Sequence, residues 1–464
     1  MYRSFFVSLC LRGSISCTNE PNFVSAHIRP IRPNPRSILQ GKRLKTDPLS
    51  APSLWQQRDF LWLWGGQSVS LLGSQIGGTA LQFVAILTLG ASPVQLGWLT
   101  VANALPVLIC GLLAGVWVDR LRRRPLLIAA NLGRGLLLLT IPAAALLGVL
   151  GLGQIYVVAA LVSLLGLFFD LAWPAYLPSL VKPEQLVEGN SKLSISDSLA
   201  EIAGPGIGGL LVQLISPPLA LLADAASFFV SSLSLAAIRT PEPAPPPPDL
   251  SQHPVTQLII DVREGLAVAF GEPVLRALLL SAATQSITDG IIGTLYALYM
   301  VGTLGISPLA VGLIVGVGGV SALGGAFLAE PVTRRYGIGR ALIGSRLVGF
   351  VFNSLLVLAF GPQPLVLVFL VLSQAADATW TIYAITETSL QQSITPNRLL
   401  GRLHASIRFI TALLLPVGGL LGGYLGQTIG LRAAIGVGLL IGGAATFWLI
   451  FSPVRGMRGL ETGD

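Results

Sequence analysis

From Phe60 to Ser452 the chain alternates long apolar stretches with short polar ones. Twelve stretches reach the roughly 20 residues that a membrane-spanning helix needs: residues 60–88, 94–117, 125–149, 154–178, 193–215, 217–238, 274–301, 308–330, 340–361, 364–390, 403–427 and 431–452. The fifth and sixth are divided mainly by Ser216–Pro218 ("SPP"). The polar interludes predict the topology, because cytoplasmic loops are enriched in Lys and Arg. With both ends inside, the inside loops and tail hold Arg120, Arg122, Arg123, Arg124, Lys182, Lys192, Arg239, Arg263, Arg334, Arg335, Arg398, Arg402, Arg455 and Arg458. The outside loops and their edges hold only Arg432. This asymmetry predicts an even number of spans with both termini cytoplasmic.

The same pattern divides the chain into a basic tail (1–53), a six-span half (54–239), a linker (240–273), a second six-span half (274–455) and a short tail (456–464). The linker opens with "TPEPAPPPPD" (Thr240–Asp249), a polyproline-II spacer. It continues as "QLIIDVREGLAVAF", whose apolar spacing predicts a helix along the membrane surface. Residues 1–53 lack helical periodicity, and "RPIRPNPRS" (Arg29–Ser37) has the composition of a disordered segment. A dispensable tail is expected; a targeting peptide and an upstream start codon are the alternatives.

The halves repeat. "LGASPVQLG" (Leu89–Gly97) matches "LGISPLAVG" (Leu304–Gly312) at an offset of 215 residues. "VKPEQLV" (Val181–Val187) resembles "ITPNRLL" (Ile394–Leu400) at 213, and "IGGLL" (Ile207–Leu211) matches "VGGLL" (Val417–Leu421) at 210. Three ordered anchors at a nearly constant offset argue for a six-plus-six duplication, and parallel repeats of this kind are a known transporter architecture.

Composition agrees with a membrane protein. Of 464 residues, 53% are apolar and 11% charged, against about 25% charged in soluble domains; the mean hydropathy is +0.75. The net charge of +8 is local, since eight Lys/Arg against two acids in residues 1–53 supply +6 of it. The basic balance is therefore no argument for nucleic acid. Three Cys and three His stand at no metal-ligand spacing, so no metal site and no disulfide framework are expected.

One stretch, "AGPGIGGLL" (Ala203–Leu211), fits the G-x-G-x-x-G spacing of a dinucleotide turn, with Asp224 near the position of a ribose-binding acid. The context fails, because these glycines lie inside an apolar span and no strand precedes them. Close helix packing explains them better, with Pro205 able to kink the span. The repeat partner "LPVGGLLGG" (Leu415–Gly423) keeps a proline and the glycine pair but loses the spacing. The packing motif is thus Gly204, Pro205, Gly208 and Gly209, with Pro416, Gly418 and Gly419 in the second half.

"GLLAGVWVDRLRRRP" (Gly111–Pro125) resembles the loop between the second and third helices of the major facilitator superfamily. Gly115, Asp119, Arg120, Arg123 and Arg124 carry the likeness, and Arg122, where the motif has a later Gly, also looks like the branch of bacterial macrolide and siderophore (enterobactin-type) exporters. The resemblance runs from about Leu54 to about Arg455. The second copy, "GAFLAEPVTRRYGIGR" (Gly325–Arg340), has Thr333 where Asp119 would fall. The resemblance implies an all-α membrane fold of twelve helices in two pseudo-symmetric halves, working by alternating access. It implies a latch in which Asp119 meets the N-terminus of the helix starting near His404, where the helix dipole favours a carboxylate, with Arg402 or Arg408 as partner; a solvated, orientation-setting turn is the alternative. Gly204-Pro205-x-x-Gly208-Gly209 also resembles the fifth-helix motif of drug/proton antiporters in that superfamily.

Ionisable groups inside spans are costly and by default functional. They are Asp170, Asp197, Glu201, Asp224, Asp289, Asp377, Glu387, Arg134, Arg346 and Arg408, of which Asp197, Glu387 and Arg408 are expected to reach water at span ends. In the family resembled, the seventh and tenth helices line or flank the cavity, which makes Asp289 and Asp377 the leading proton-coupling candidates, ahead of Asp224 and Glu201. A helix–helix hydrogen bond is the alternative role for each. The first span has no acid within it and offers Gln67, Ser68, Ser70, Gln75, Thr79 and Gln82 instead, which leaves the coupling ion open. Gln67, Trp173, Gln285, Tyr296, Trp380 and Tyr383 are candidates for the lining of an amphipathic substrate cavity.

The expectation is a monomeric secondary transporter in a bacterial inner membrane, without cofactor, exporting an amphipathic organic compound against proton inflow. Uptake or facilitated diffusion of a metabolite is the alternative within transport. A membrane enzyme or scaffold is the alternative outside it, although the chain has no P-loop, nucleophile elbow or metal constellation.

Overall fold

The computed structural model describes residues 53–242 and 254–458. The expectations for residues 1–52, for the proline spacer at 243–253 and for residues 459–464 lie outside them. The first half comprises α1 (Arg58–Phe83), α2 (Pro93–Arg120), α3 (Arg123–Leu146), α4 (Leu152–Tyr176), α5 (Leu186–Ile215) and α6 (Pro217–Ala237). A helix in the linker, α7 (Pro254–Gly271), leads into α8 (Pro273–Leu298), α9 (Pro308–Tyr336), α10 (Ile338–Leu358), α11 (Gln363–Ser373), α12 (Ala375–Ile394), α13 (Asn397–Thr428) and α14 (Leu431–Ile450). Among the described residues, eleven spans are long and apolar enough to cross a membrane, α11 and α12 together forming one. The twelfth is α8, which reaches that standard only with the end of α7, from which it bends by 112°. Its polar run Thr284–Asp289 lowers its hydropathy.

The repeat is visible in local chemistry. α1 and α8 both end in a π-helical turn, Val84–Thr88 and Tyr299–Thr303. A left-handed glycine follows each, Gly90 at φ 60° and Gly305 at φ 66°, a conformation that only glycine adopts without strain. α2 and α9 then start alike. Ser92 Oγ accepts from Gln95 N at 3.3 Å and Ser307 Oγ from Ala310 N at 3.3 Å, each with proline at the first helical position.

Three span limits differ from the hydropathy pattern. α5 begins at Leu186 rather than 193, and α13 at Asn397 rather than 403. Polar turns continue a helix once backbone bonding is under way, and an apolar window does not count them. As a result Asp197 lies in the twelfth position of α5, well inside the helix rather than near its start. The tenth span, expected as one helix, breaks at Gln374, whose side chain instead bonds Ile314 O of α9 at 3.0 Å.

Each half packs in the same pattern. α1 contacts α5 and α6, and α8 contacts α13 and α14; α3 bridges α4 and α6, and α10 bridges α12 and α14. The halves meet through two crossed pairs, α5 with α9 and α2 with α13. The cores reveal where. One core unites both halves, from Phe83, Ile155 and Phe228 to Ile291, Tyr299 and Ile435, at the end away from Arg120–Arg124. Toward the arginine-rich end each half keeps its own core, around Phe60, Leu127 and Phe169 in one and Leu278, Leu342 and Tyr383 in the other. The bundle is therefore closed at the end opposite the arginines.

Candidate coupling site and substrate path

The glycine motifs build the closed end. In α5, Gly204 and Gly208 face α1: a β-carbon added at Gly208 would lie 3.1 Å from Thr79 Cβ and 3.2 Å from Ile76 Cα. Gly209 turns to the other half, against Pro308 and Leu309 of α9, and Gly312 of α9 presses on Pro205 O. α13 repeats the arrangement. Gly418 and Gly422 face Ile287 and Ile291 of α8, and Gly419 and Gly423 face α2; a β-carbon at Gly97 would lie 2.8 Å from Gly419 O. At such distances no side chain fits, so backbones meet directly. Thr100 Oγ1 and Thr294 Oγ1, 2.8 Å apart, hydrogen-bond across the halves beside this crossing. They line a cavity of about 250 Å³ with Gln82, Asn103 and Leu99.

Four expected site residues gather around Arg346 in the second half. Gln285 Nε2 donates to Asp289 Oδ1 at 2.8 Å, and Arg346 Nη1 donates to Gln285 Oε1 at 2.6 Å. The guanidinium lies 4.0 Å from the Tyr383 ring centre and 5.1 Å from that of Trp380, two rings that themselves stack at 5.9 Å. Glu387, one turn past Tyr383, is within electrostatic reach of Arg346 and accepts from Gln391 Nε2 at 3.3 Å. Arg346 is 7% exposed, whereas Gln285, Asp289 and Glu387 are partly exposed.

Asp377 sits in the first turn of α12, just past the break in the tenth span. A carboxylate there is favoured by the helix dipole. Gly318 of α9 packs on its carboxylate, and the next residue, Gly319, packs on Ile202 of α5. Glu201 and Asp377 thus approach from opposite halves across α9 and interact electrostatically, with Tyr296 of α8 also in reach. Discontinuous helices commonly bear transporter sites at mid-membrane.

Asp224 is enclosed. It is 5% exposed, its carboxylate fills the space over Gly73 and Gly77 of α1, and Ser227 Oγ donates to its Oδ1 at 3.4 Å. Arg134, 6% exposed, acts on it electrostatically while bonding Asn131 and lying 4.7 Å and 4.2 Å from the Phe169 and Phe228 ring centres. Of the remaining lining candidates, Gln67 is buried at 8% exposure, and Trp173 stacks on Phe169 at 5.9 Å within the first half's own core.

The arginine loop is tied to its own half. Arg123 N and Arg124 N donate to the Glu242 carboxylate at 2.6 and 3.0 Å, capping α3, and Arg124 donates to Leu235 O and Ala236 O at the end of α6 at 2.9 and 2.8 Å. Arg120 is exposed. Gly115 and the side chain of Asp119 fall outside what is described. Arg402, an expected latch partner, is ion-paired with Glu264 of α7. Sequence reasoning did not bring Glu242, Gln374 or the role of Arg346 forward. A signal for the last existed: Arg346 stands 212 residues after Arg134, the repeat offset.

Two like helical halves, closed on each other at one end and carrying partly exposed acids at mid-span, define a secondary-transporter bundle. A family model described as Major Facilitator Superfamily matches residues 63–415. The MFS-type transporter YfiS of Bacillus subtilis (strain 168) is 26% identical over 83% of this chain and 91% of its own length. The multidrug efflux pump Tap of Mycolicibacterium fortuitum is 26% identical over 75% of this chain and 85% of its own. The crystal structure of a bacterial homologue of the iron transporter ferroportin, in its inward-facing state, superposes with a TM-score of 0.68 at 19% identity, covering 85% of this chain and 98% of that one. The chain belongs to the Major Facilitator Superfamily; it is a multi-pass membrane transporter, not an enzyme.

Proposed function

We propose that the protein exports amphipathic organic compounds, of the drug, macrolide or siderophore kind, in exchange for protons. The observation that carries this reading is the position of Asp289 and Asp377, partly exposed at mid-span below a glycine-sealed end. The relative named as a multidrug efflux pump supports the direction. The arginine-rich end is cytoplasmic, both termini lie there, the membrane is a bacterial inner membrane and the unit is a monomer. The closed end then faces outward, and the structure is the state that accepts cargo from the cytoplasmic side. Cargo binding between Trp380, Tyr383, Tyr296 and Gln285 releases protons from the acids, and protons entering from outside reset them. When the arginine-rich end closes, Asp119 takes Arg402 from Glu264 and latches the halves.

One observation favours the alternative of uptake or facilitated diffusion. The first span, Arg58–Phe83, has no acid beyond Asp59 in its first turn, and Asp59 is committed to Thr240 N at 2.8 Å.

The deciding experiment measures accumulation of a broad panel of fluorescent amphipathic compounds in cells with and without the gene, before and after collapse of the proton gradient. Lower accumulation that vanishes with the gradient is expected. Unchanged accumulation across the panel would sink the exporter reading, and higher accumulation would replace it with uptake.

A further inference from the structure

We propose that Arg346 is the positioning residue of the coupling site: through Gln285 it holds Asp289 in the ionised, hydrogen-bonded form until a proton displaces that link. The inference rests on the proton-coupled reading above and goes beyond it in assigning a role to a residue outside the acid set.

Donor and acceptor chemistry fixes the geometry of this link. A guanidinium only donates, so Arg346 Nη1 at 2.6 Å obliges Gln285 to present its carbonyl oxygen. The Gln285 amide nitrogen must then point away, and it meets Asp289 Oδ1 at 2.8 Å. The two residues are i and i+4 on α8, a spacing that keeps them adjacent. A flipped amide would set NH₂ against the guanidinium and the carbonyl against the carboxylate, so the cation fixes the orientation. Arg346 is itself buried over the Tyr383 and Trp380 rings. Among the described residues its Nε and Nη2 make no hydrogen bond, and Glu387 shares its field with Asp289. Gln285 Oε1 faces Gly442 of α14, where a β-carbon would lie in ordinary contact at 3.5 Å.

Protonation of Asp289 removes the charge from the acceptor and weakens a charge-assisted bond. The incoming proton goes to the carboxylate, and no other bond is made or broken. Charged and titratable groups face α8 from several elements. α10 brings Arg346; α12 brings Tyr383, Glu387 and Asp377; α13 brings Arg408, about two turns nearer the arginine-rich end, and His404 one turn beyond it. α14 brings only Arg432, which bonds Tyr299 at the closed end. α2 brings only Cys110 before its end, and Glu264 of α7 is paired with Arg402.

The test needs no identified cargo. In the full-length protein in lipid, the infrared band of protonated carboxyl groups is titrated with pH, and the component that Asp289→Asn deletes reports Asp289. Arg346→Gln should move the midpoint of that component upward by about one pH unit, since an adjacent cation favours the ionised form. Gln285→Leu should move it the same way by less, and Arg346→Lys should restore most of the wild-type midpoint. A midpoint unmoved in both Arg346→Gln and Gln285→Leu overturns the role of Arg346 alone. If Asp289→Asn deletes no titrating component, the coupling reading itself fails. Should Arg346→Gln not fold, Gln285→Leu and Arg346→Lys decide the matter, because neither leaves the Arg346 site without a cation.

Discussion

Arg134 and Arg346 occupy matching places in the two halves, 212 residues apart on α3 and α10. Both are buried and both lie over two aromatic rings. Their surroundings then diverge. Arg134 faces the all-hydrocarbon rings Phe169 and Phe228, and its acid, Asp224 on α6, is sealed by Gly73 and Gly77. Arg346 faces Tyr383 and Trp380, and the acids near it, Asp289 on α8 and Glu387 on α12, are partly exposed. The place of Asp289 in the first half is held by Gly77, 212 residues earlier, which is one of the glycines that admits Asp224. The same buried cation thus serves a closed pillar in one half and an accessible polar cluster in the other. The two halves share a frame, and in the proposed function the position of one carboxylate separates packing from chemistry.

The contrast can be broken at its strongest point first. Arg134→Met should cost about 3–5 kcal/mol, the range for leaving a buried charge without its partner, and should show as a large drop in melting temperature of the purified protein. Arg346→Gln should melt much closer to wild type, because Asp289 and Glu387 are not sealed by packing as Asp224 is. Equal melting losses would erase the distinction between pillar and site.

Where the halves are alike, substitutions should act alike. Gly97→Leu and Gly312→Leu each force a side chain into a backbone crossing of the closed end, and overpacking costs about 1–3 kcal/mol. Both should shift the protein toward opening at that end, seen as faster labelling of a cysteine introduced at Thr294, and to a similar degree. A large effect from only one of them would show that the two crossings are not equivalent. A smaller effect is expected of Thr100→Val. It removes the 2.8 Å bond to Thr294, worth about 0.5–1.5 kcal/mol, and should speed labelling of a cysteine introduced at Gly78, which lines the same cavity, by about tenfold at most.

Much of this was legible in the chain. Span count, the repeat and the packing role of the glycines follow from hydropathy and from matched segments such as "LGASP" and "LGISP", because turn and cap chemistry is local. The break at Gln374 was not legible, since "SQAADATW" (Ser373–Trp380) contains neither Gly nor Pro; the break coincides with a tertiary bond, from Gln374 to Ile314 O. The residue pattern alone does not separate Asp224 from Asp289; the family resemblance ranks Asp289 first without a physical reason from the chain itself. Both are single acids in apolar spans, and packing shows that one is covered by α1 while the other stays partly exposed. Arg346 read as a costly charge until the fold placed Gln285, 61 residues earlier, between it and Asp289.

The most direct test compares Asp224→Asn with Asp289→Asn in everted membrane vesicles, following gradient-driven uptake of whichever panel compound the wild type exports. Asp224→Asn should keep at least about half of wild-type uptake once corrected for protein amount, while Asp289→Asn should lose about tenfold or more, equivalent to about 1.4 kcal/mol. Loss of uptake in Asp224→Asn together with retained, gradient-dependent uptake in Asp289→Asn would contradict the account.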